Sequence, residues 1–296
     1  MAVKVNVVDL GSPVEMMPVT CCRKFQAIPV AGVTLEERLV WMFETKAPGA
    51  DWSMTIRPDF WPSSAMIAQI MGTADGMIIT GGDGLELARI TLDGRAPAIT
   101  VQVDKESIHI RYPWDLLAVN EKIVGAIEKD NIKGAVRQNV TIDGVLHLGA
   151  GSVLLPGVYI EGKIIIGDNC KIGPNCYLRG STYIGDNCHV GQAVEIKNSL
   201  LMHNVSAGHL SYIGDSVICP HTNLGAGTIT ANLRHDGRNH KSEVAGTLLD
   251  TGRRKLGVII GDNVHTGIHT SLYPGRKIWM DKSTVPGQIV SKDIKD

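Results

Sequence analysis

Counting by six from Ile142, every step lands on an apolar residue: Ile142, Leu148, Leu154, Ile160, Ile166, Ile172, Leu178, Ile184, Val190, Ile196 and Met202. A strand alternates with period two and is interrupted after about five or six residues, and a helix repeats every 3.6. Neither sustains a period of six over this length. Turn residues follow the apolar positions, as in Ile166-Gly167-Asp168-Asn169, Ile184-Gly185-Asp186-Asn187, Ile213-Gly214-Asp215 and Ile260-Gly261-Asp262-Asn263. Gly, Asp and Asn tolerate positive φ or bond their own backbone, so each hexapeptide reads as a short strand and a corner. Three hexapeptides close one triangular coil. Stacked coils predict an all-β parallel β-helix whose aliphatic residues fill the interior.

The register fails between Met202 and Ile213, around Ser206–Tyr212, and resumes through Ile218 and Leu224. It fails again from about Thr230 to Leu256 and returns at Ile260, Leu272 and Ile278. Breaks in a solenoid are expected as loops on one face, often the binding face. The stretch Ala231–Lys255 carries eight Lys, Arg or His residues. It reads either as a solvated insertion or as an arm reaching a neighbouring subunit or a phosphate.

Residues 1–130 lack the period of six. A strand over Val3–Val8, a Pro/Gly turn, a helix over Leu35–Glu44 and several short strands suit a small α/β domain. Residues 116–130 read as a helix leading into the solenoid, and Tyr112-Pro113-Trp114-Asp115 as a packing element at the junction. The expected domains are therefore 1–130 and 131–296, with an insertion at about 230–256.

Composition narrows the picture further. Glycine is abundant, at 33 of 296 residues, and aromatics are only 5%, which suits a repetitive β architecture. Lys and Arg number 29 against 30 Asp and Glu. That balance argues against a nucleic-acid partner or a polybasic membrane anchor, while leaving room for a local phosphate site. No apolar run is long enough for a membrane helix, and the N-terminus lacks the features of a signal peptide. None of the six cysteines falls in a CxxC pair, and Cys170, Cys176 and Cys188 share the phase of the repeat. A reduced, cytoplasmic protein is the simplest expectation. His240, His265 and His269 have no recognised metal spacing, so no metal is expected.

Two strings are specific beyond the repeat. Residues 194–232, VEIKNSLLMHNVSAGHLSYIGDSVICPHTNLGAGTITAN, closely resemble the acetyltransferase domain of the bifunctional N-acetylglucosamine-1-phosphate uridyltransferase/glucosamine-1-phosphate N-acetyltransferase family. The run NLRHDGRNHK followed by GRRKLGVIIGDNVHTGI is similar to its archaeal-type branch. The resemblance covers residues of about 136–280. It implies a left-handed winding, acetyl-CoA as co-substrate without a metal, an amino-sugar phosphate as acceptor, and a homotrimer with interfacial sites.

The resemblance also implies roles for single residues. His209 matches the general base; free imidazole titrates near ~6.5, which suits proton transfer at working pH. Arg179 and Lys197 match residues that hold the sugar phosphate. Tyr212 and Asn223 match groups around the sugar and its amine. Asn232 matches an asparagine contributed across the subunit interface, and Lys241 a loop lysine for the phosphate. Ala226 matches the amide that binds the thioester carbonyl. Ile268 stands where the family has a serine near the acetyl group, and Leu233 where the bacterial branch has a tyrosine. Arg253, Arg254 and Arg276 are candidates for the phosphates of coenzyme A, with a solvated loop end as the alternative.

The N-terminal region resembles a shortened sugar-1-phosphate nucleotidyltransferase. The family's phosphate loop ends in Gly-Thr-Arg, whereas this chain has Gly11-Ser12-Pro13-Val14-Glu15, and Phe25 replaces the lysine of an Arg-Pro-Lys element. Proline removes an N–H and Glu15 adds a negative charge, so the loop is expected to repel a triphosphate. Nucleotidyl transfer and a non-catalytic trimeric scaffold stand as the competing functions.

Overall fold

The computed structural model describes residues 4–44 and 52–295. They separate into two compact units. The first comprises the chain up to Pro13, Arg23–Pro29 and Val33–Arg111. Its five-stranded mixed sheet runs in the order Lys4–Val7, Trp52–Ile56, Glu86–Leu92, Met77–Thr80, Ile99–Gln102. Of the strand expected over Val3–Val8, Lys4–Val7 forms, and Val3 lies outside the described residues. Helix α1 spans Leu35–Glu44, as expected. Thr34 and Glu37 close its start reciprocally: the Thr34 hydroxyl accepts from the Glu37 N–H at 3.1 Å, and the Glu37 carboxylate accepts from the Thr34 N–H at 2.8 Å. Helix α2, Ser64–Met71, is capped by the Ser63 hydroxyl.

The second unit takes in Val14–Cys22, Val30–Gly32 and the chain from Tyr112 onward. Helix α3 spans Asp115–Gly125, so it counts with the solenoid and ends earlier than the expected 130. The reason is that Lys129 and Asp130 are spent on the first coil. The Leu146 N–H donates to the Asp130 carboxylate at 2.9 Å, and the His147 ring bonds the Lys129 carbonyl at 3.1 Å. Lys163 donates to the last-turn carbonyl of Gly125 at 2.7 Å. Asn120, fully buried, donates to the Ser181 carbonyl at 3.0 Å. No helix among the described residues is long and apolar enough to cross a membrane.

The rest of this unit is a parallel β-solenoid with three faces, its coils paired in register above and below. The expected interior is the observed one: Leu148, Leu154, Ile160, Ile166, Ile172, Leu178, Ile184, Val190 and Ile196 are all buried in a single core. Corners repeat as three edges, each in the left-handed backbone region that favours Gly, Asn and Asp. An asparagine edge carries Asn169, Asn187, Asn204, His221, Asn263 and Asp281. A histidine edge carries Asn175, Ala193, Leu210, Gly227, His269 and Gly287. The third, here the aspartate edge, carries Gly162, Gly180, Asn198, Asp215 and Gly275.

The spacing changes at the aspartate edge. Ile166 stacks on Ile184, eighteen residues on; Ile184 stacks on Leu201, and Leu201 on Ile218, each seventeen on. The lost residue lies between Lys197 and Leu200, where the previous coil has Arg179 to Tyr183. The break expected between Met202 and Ile213 is therefore corrected. Ser206–His209 is a regular strand, and Leu201, Ala207 and Ile213 fill the core six apart. Met202 disguises the shift because it is apolar and buried beside the asparagine edge, although Leu201 holds the interior place.

The second break is an insertion at the aspartate edge of the next coil, since Ile218 stacks on Ile260, forty-two residues on. The insert folds into an antiparallel hairpin of Lys241–Val244 and Thr247–Asp250, turned by Ala245 and Gly246, both at positive φ. Its base is pinned. The Leu256 N–H donates to the Asn232 carbonyl at 3.1 Å, and Ser242 donates to the Gly275 carbonyl at 2.9 Å.

Candidate functional site

His209 ends the strand Ser206–His209 and is exposed. A ladder of backbone bonds fixes what lies above and below it. The Gly227 N–H donates to the His209 carbonyl at 3.2 Å, the His269 N–H to the Ala226 carbonyl at 2.7 Å, and the Gly287 N–H to the Ile268 carbonyl at 2.8 Å. His209, Ala226 and Ile268 thus hold one place on three successive coils, about 4.8 Å apart. In earlier coils that place is held by Pro156 and Pro174, whose carbonyls accept from Asn175 and Ala193. Proline has no N–H, so in those coils the fold asks nothing of the amide, whereas Gln192 and His209 on the next two coils are paired in the strand ladder. The Ala226 N–H has no acceptor among the described residues. His189, one coil before Ser206, has its pKa lowered by burial first and then by the charges of Lys171 and His209.

The aspartate edge is built around a residue that the sequence reading passed over. Asp215 is 2% exposed and accepts from Lys197 at 2.8 Å, Asn232 at 2.6 Å and Asn198 at 3.1 Å. Asn232 also donates to the Tyr212 hydroxyl at 3.0 Å. Burial raises the Tyr212 pKa, and the charges of Asp215 and Glu195 add to it. Asn198 donates to Glu121 of α3 at 2.8 Å, and Glu121 accepts from Arg253 at 2.5 Å. Arg179 occupies the coil before Lys197, paired with Glu195 at 2.7 Å and 5.4 Å over the Tyr177 ring. Burial works against its charge, but Glu195 holds its pKa above the usual value. A cavity of about 460 Å³ opens here, lined by Lys197, Asn198, Asp215, Arg253, Arg254 and Lys255.

Lys197, Tyr212 and Asn232 are therefore in one network, with Arg253 and Arg254 on the same cavity and Arg179 one coil away. Asn223 lies exposed between the asparagine and histidine edges, stacked on Ser206. Lys241 and Arg276 fall elsewhere. Arg276 donates to the Lys241 carbonyl at 3.0 Å and lies 3.8 Å from Asp293, on a cavity of about 690 Å³ shared with Glu243, Lys292 and Lys295. Sequence reasoning missed Asp215, Asn198 and Glu121. The only signal for Asp215 was the spacing of five from Ile213 to Ile218 that brackets it.

The histidine and aspartate edges bound one face, whose strands include Tyr212–Gly214, Ile229–Thr230, Ser271–Leu272 and Ile289–Val290. That face and its histidine edge expose Leu210, Ile229, Ile268, Tyr273, Val285 and Ile289. In the first unit, Gly11 and Ser12 of the expected failed phosphate loop bond to the segment Arg23–Phe25. Lys24 pairs with Asp9, Ser12 donates to the Arg23 carbonyl at 2.9 Å, and Phe25 is 1% exposed, its N–H on the Gly11 carbonyl at 2.6 Å.

The GMPPB C-terminal domain family matches residues 160–292. A bifunctional sugar-1-phosphate nucleotidylyltransferase/acetyltransferase of Sulfurisphaera tokodaii is 40% identical over 182 residues, covering 62% of this chain and 45% of that protein. The bifunctional protein GlmU of Methanococcus maripaludis strain C7 is 48% identical over 186 residues, covering 63% and 45%. The similarity lies in the C-terminal part of this chain, and at these identities it is homology. The chain spans just under half the length of these curated relatives. Among solved structures, the UDP-N-acetylglucosamine O-acyltransferase of Moraxella catarrhalis matches 56% of this chain and 65% of its own at 16% identity. Its TM-score of 0.22 is too low to carry an argument.

Proposed function

We propose that the solenoid transfers the acetyl group of acetyl-CoA to the amine of glucosamine 1-phosphate or a closely related amino-sugar phosphate. The observation that carries this reading is the stack of His209 on Ala226. It sets a proton acceptor one coil from a backbone N–H that the fold leaves unused. The acceptor amine attacks the thioester carbon, a C–N bond forms, and His209 takes the amine proton. The oxygen that gathers negative charge is held by the Ala226 N–H, as a fixed donor in a site of acyl transfer should hold it. The C–S bond then breaks, and the proton leaves with the coenzyme A thiolate.

Arg179 and Lys197 receive the sugar phosphate, and Tyr212, Asn223 and Asn232 surround the sugar. Asp215 acts as the positioning residue that aims Lys197 and Asn232. Arg254 suits a coenzyme A phosphate better than Arg253, whose guanidinium is taken by Glu121. Lys241 and Arg276 lie off the Lys197 cavity, so neither is given a phosphate. The exposed apolar face beside His209 supports a homotrimer that covers it and completes the site. Six cysteine thiols, four of them buried, suit a reducing compartment such as the cytoplasm.

Thiol release from acetyl-CoA in the presence of glucosamine 1-phosphate tests the reading. Turnover that His209→Ala nearly abolishes is expected; no turnover on any amino-sugar phosphate would remove it. The bonding of Gly11 and Ser12 to the Arg23–Phe25 segment supports a role for the first unit in packing or assembly. Pyrophosphate release from UTP and a sugar phosphate would overturn that assignment.

A further inference from the structure

Glycine recurs at one place on five coils: Gly173, Gly191, Gly208, Gly225 and Gly267. Four of them are required by the fold. A Cβ on Gly191 would strike the Gly208 carbonyl, one on Gly225 would lie 2.5 Å from the Thr266 carbonyl, and one on Gly267 would lie 2.5 Å from the Pro286 nitrogen. Gly173 sits at a left-handed φ of 103° with Val158 at 2.7 Å. Gly208 has neither reason. Its φ lies outside the left-handed region, and a Cβ built on it meets no atom within 4 Å. Among the described glycines from Gly134 onward, Gly208 alone lacks both a clash and a left-handed backbone. A strand interior prefers a side chain, since glycine loses more chain entropy on folding.

Gly208 directly precedes His209. By strand alternation it shares the outer surface with Ser206, which stacks on Asn223. The Ala226 amide lies on the other side, at the corner. The empty volume therefore stands between the residue assigned to the sugar and the residue assigned to its proton. We infer that Gly208 is kept bare by the acyl acceptor and not by the fold: the ring edge that bears the reacting amine lies over it, and residue 208 sets the size of acceptor admitted. This rests on the transferase reading above.

Gly208→Ala, Gly208→Val and the control Gly225→Ala test it in the full-length protein. Steady-state kinetics with glucosamine 1-phosphate should show the acceptor KM rising about tenfold for Ala and about a hundredfold for Val. The KM for acetyl-CoA, the melting temperature and the mass by light scattering should stay at wild-type values. Gly225→Ala should lower the melting temperature by several degrees, because backbone must move. An unchanged acceptor KM in Gly208→Val overturns the inference. So does a rise confined to acetyl-CoA, a melting loss in Gly208→Ala equal to that of Gly225→Ala, or a lost assembly, which would mean that a neighbouring chain fills the space. A wild-type protein without acceptor turnover would strike the transferase reading first and take this inference with it.

Discussion

Along the histidine edge the repeat keeps its spacing of six, and the residues of interest stand in solvent with few partners: His209 and Ile268 are exposed, and the Ala226 N–H is unused. Along the aspartate edge the spacing falls to five at two successive coils, and the polar residues are tied down: Asp215 holds Lys197, Asn198 and Asn232 at once. One repeat thus produces two kinds of corner. A regular corner leaves over what proton transfer and charge stabilisation need, a side chain in the open and a free donor. A shortened corner draws side chains inward, so they must satisfy one another, and that fixes their directions.

The contrast makes separable predictions. Removing the imidazole at the regular corner should cost activity and nothing else. His209→Ala should lower kcat by about 10²–10⁴-fold, while the urea midpoint stays put. A drop in stability would show that this edge is not free.

At the shortened corner the order reverses. Asp215→Asn keeps a residue type that tolerates the φ of 50° but leaves the Lys197 ammonium without its counter-charge. A stability loss of about 3 kcal/mol by denaturant titration is expected, with the acceptor KM raised. A stable variant with only a lower kcat would make Asp215 part of the chemistry.

Lys277, on the face beyond the aspartate edge, shows burial without good pairing. It is 2% exposed, and burial pushes its pKa down to about 8. Between about pH 8 and the unfolded value near 10.5 the unfolded chain binds the extra proton, so stability should rise with pH across that window. The rise should be at most about 3 kcal/mol, and Lys277→Met should flatten it in pH-dependent unfolding. The smallest effect belongs to the arm. Glu121→Gln should loosen Arg253 by about 1 kcal/mol or less, seen as a few-fold faster tryptic cleavage at Arg253 and Arg254.

The legible part of the sequence was the part that depends on one residue at a time. Ile142 to Ile196 announced the prism because each fills its own slot of the core. Helix α1 was legible through its apolar stripe. The shift by one residue was not, since Met202, six after Ile196, is apolar and continues the count although Leu201 beside it holds the core place. Asp215 stayed hidden because Gly-Asp also marks ordinary corners such as Gly167-Asp168, and only three-dimensional stacking shows that its carboxylate turns inward. The motif around His209 was legible as a resemblance, but its supposed place in a register break was an artefact of that same miscount. Lys241, given to the sugar phosphate by resemblance, and Arg276, a candidate for coenzyme A, do not line the cavity beside Lys197 within one chain.

The hairpin arm adds twenty-odd residues to one coil, yet the coils on either side still meet in register, Ile218 on Ile260. Each coil answers only to its neighbours, so the perturbation has nowhere to propagate. In genetic terms, that corner is a splice point: sequence can be gained or lost there while the flanking coils keep their register. A swap of residues 233–255 for a two-residue turn would move the chain between long-armed and short-armed forms in one event, with the Arg253–Glu121 pair as the contact given up.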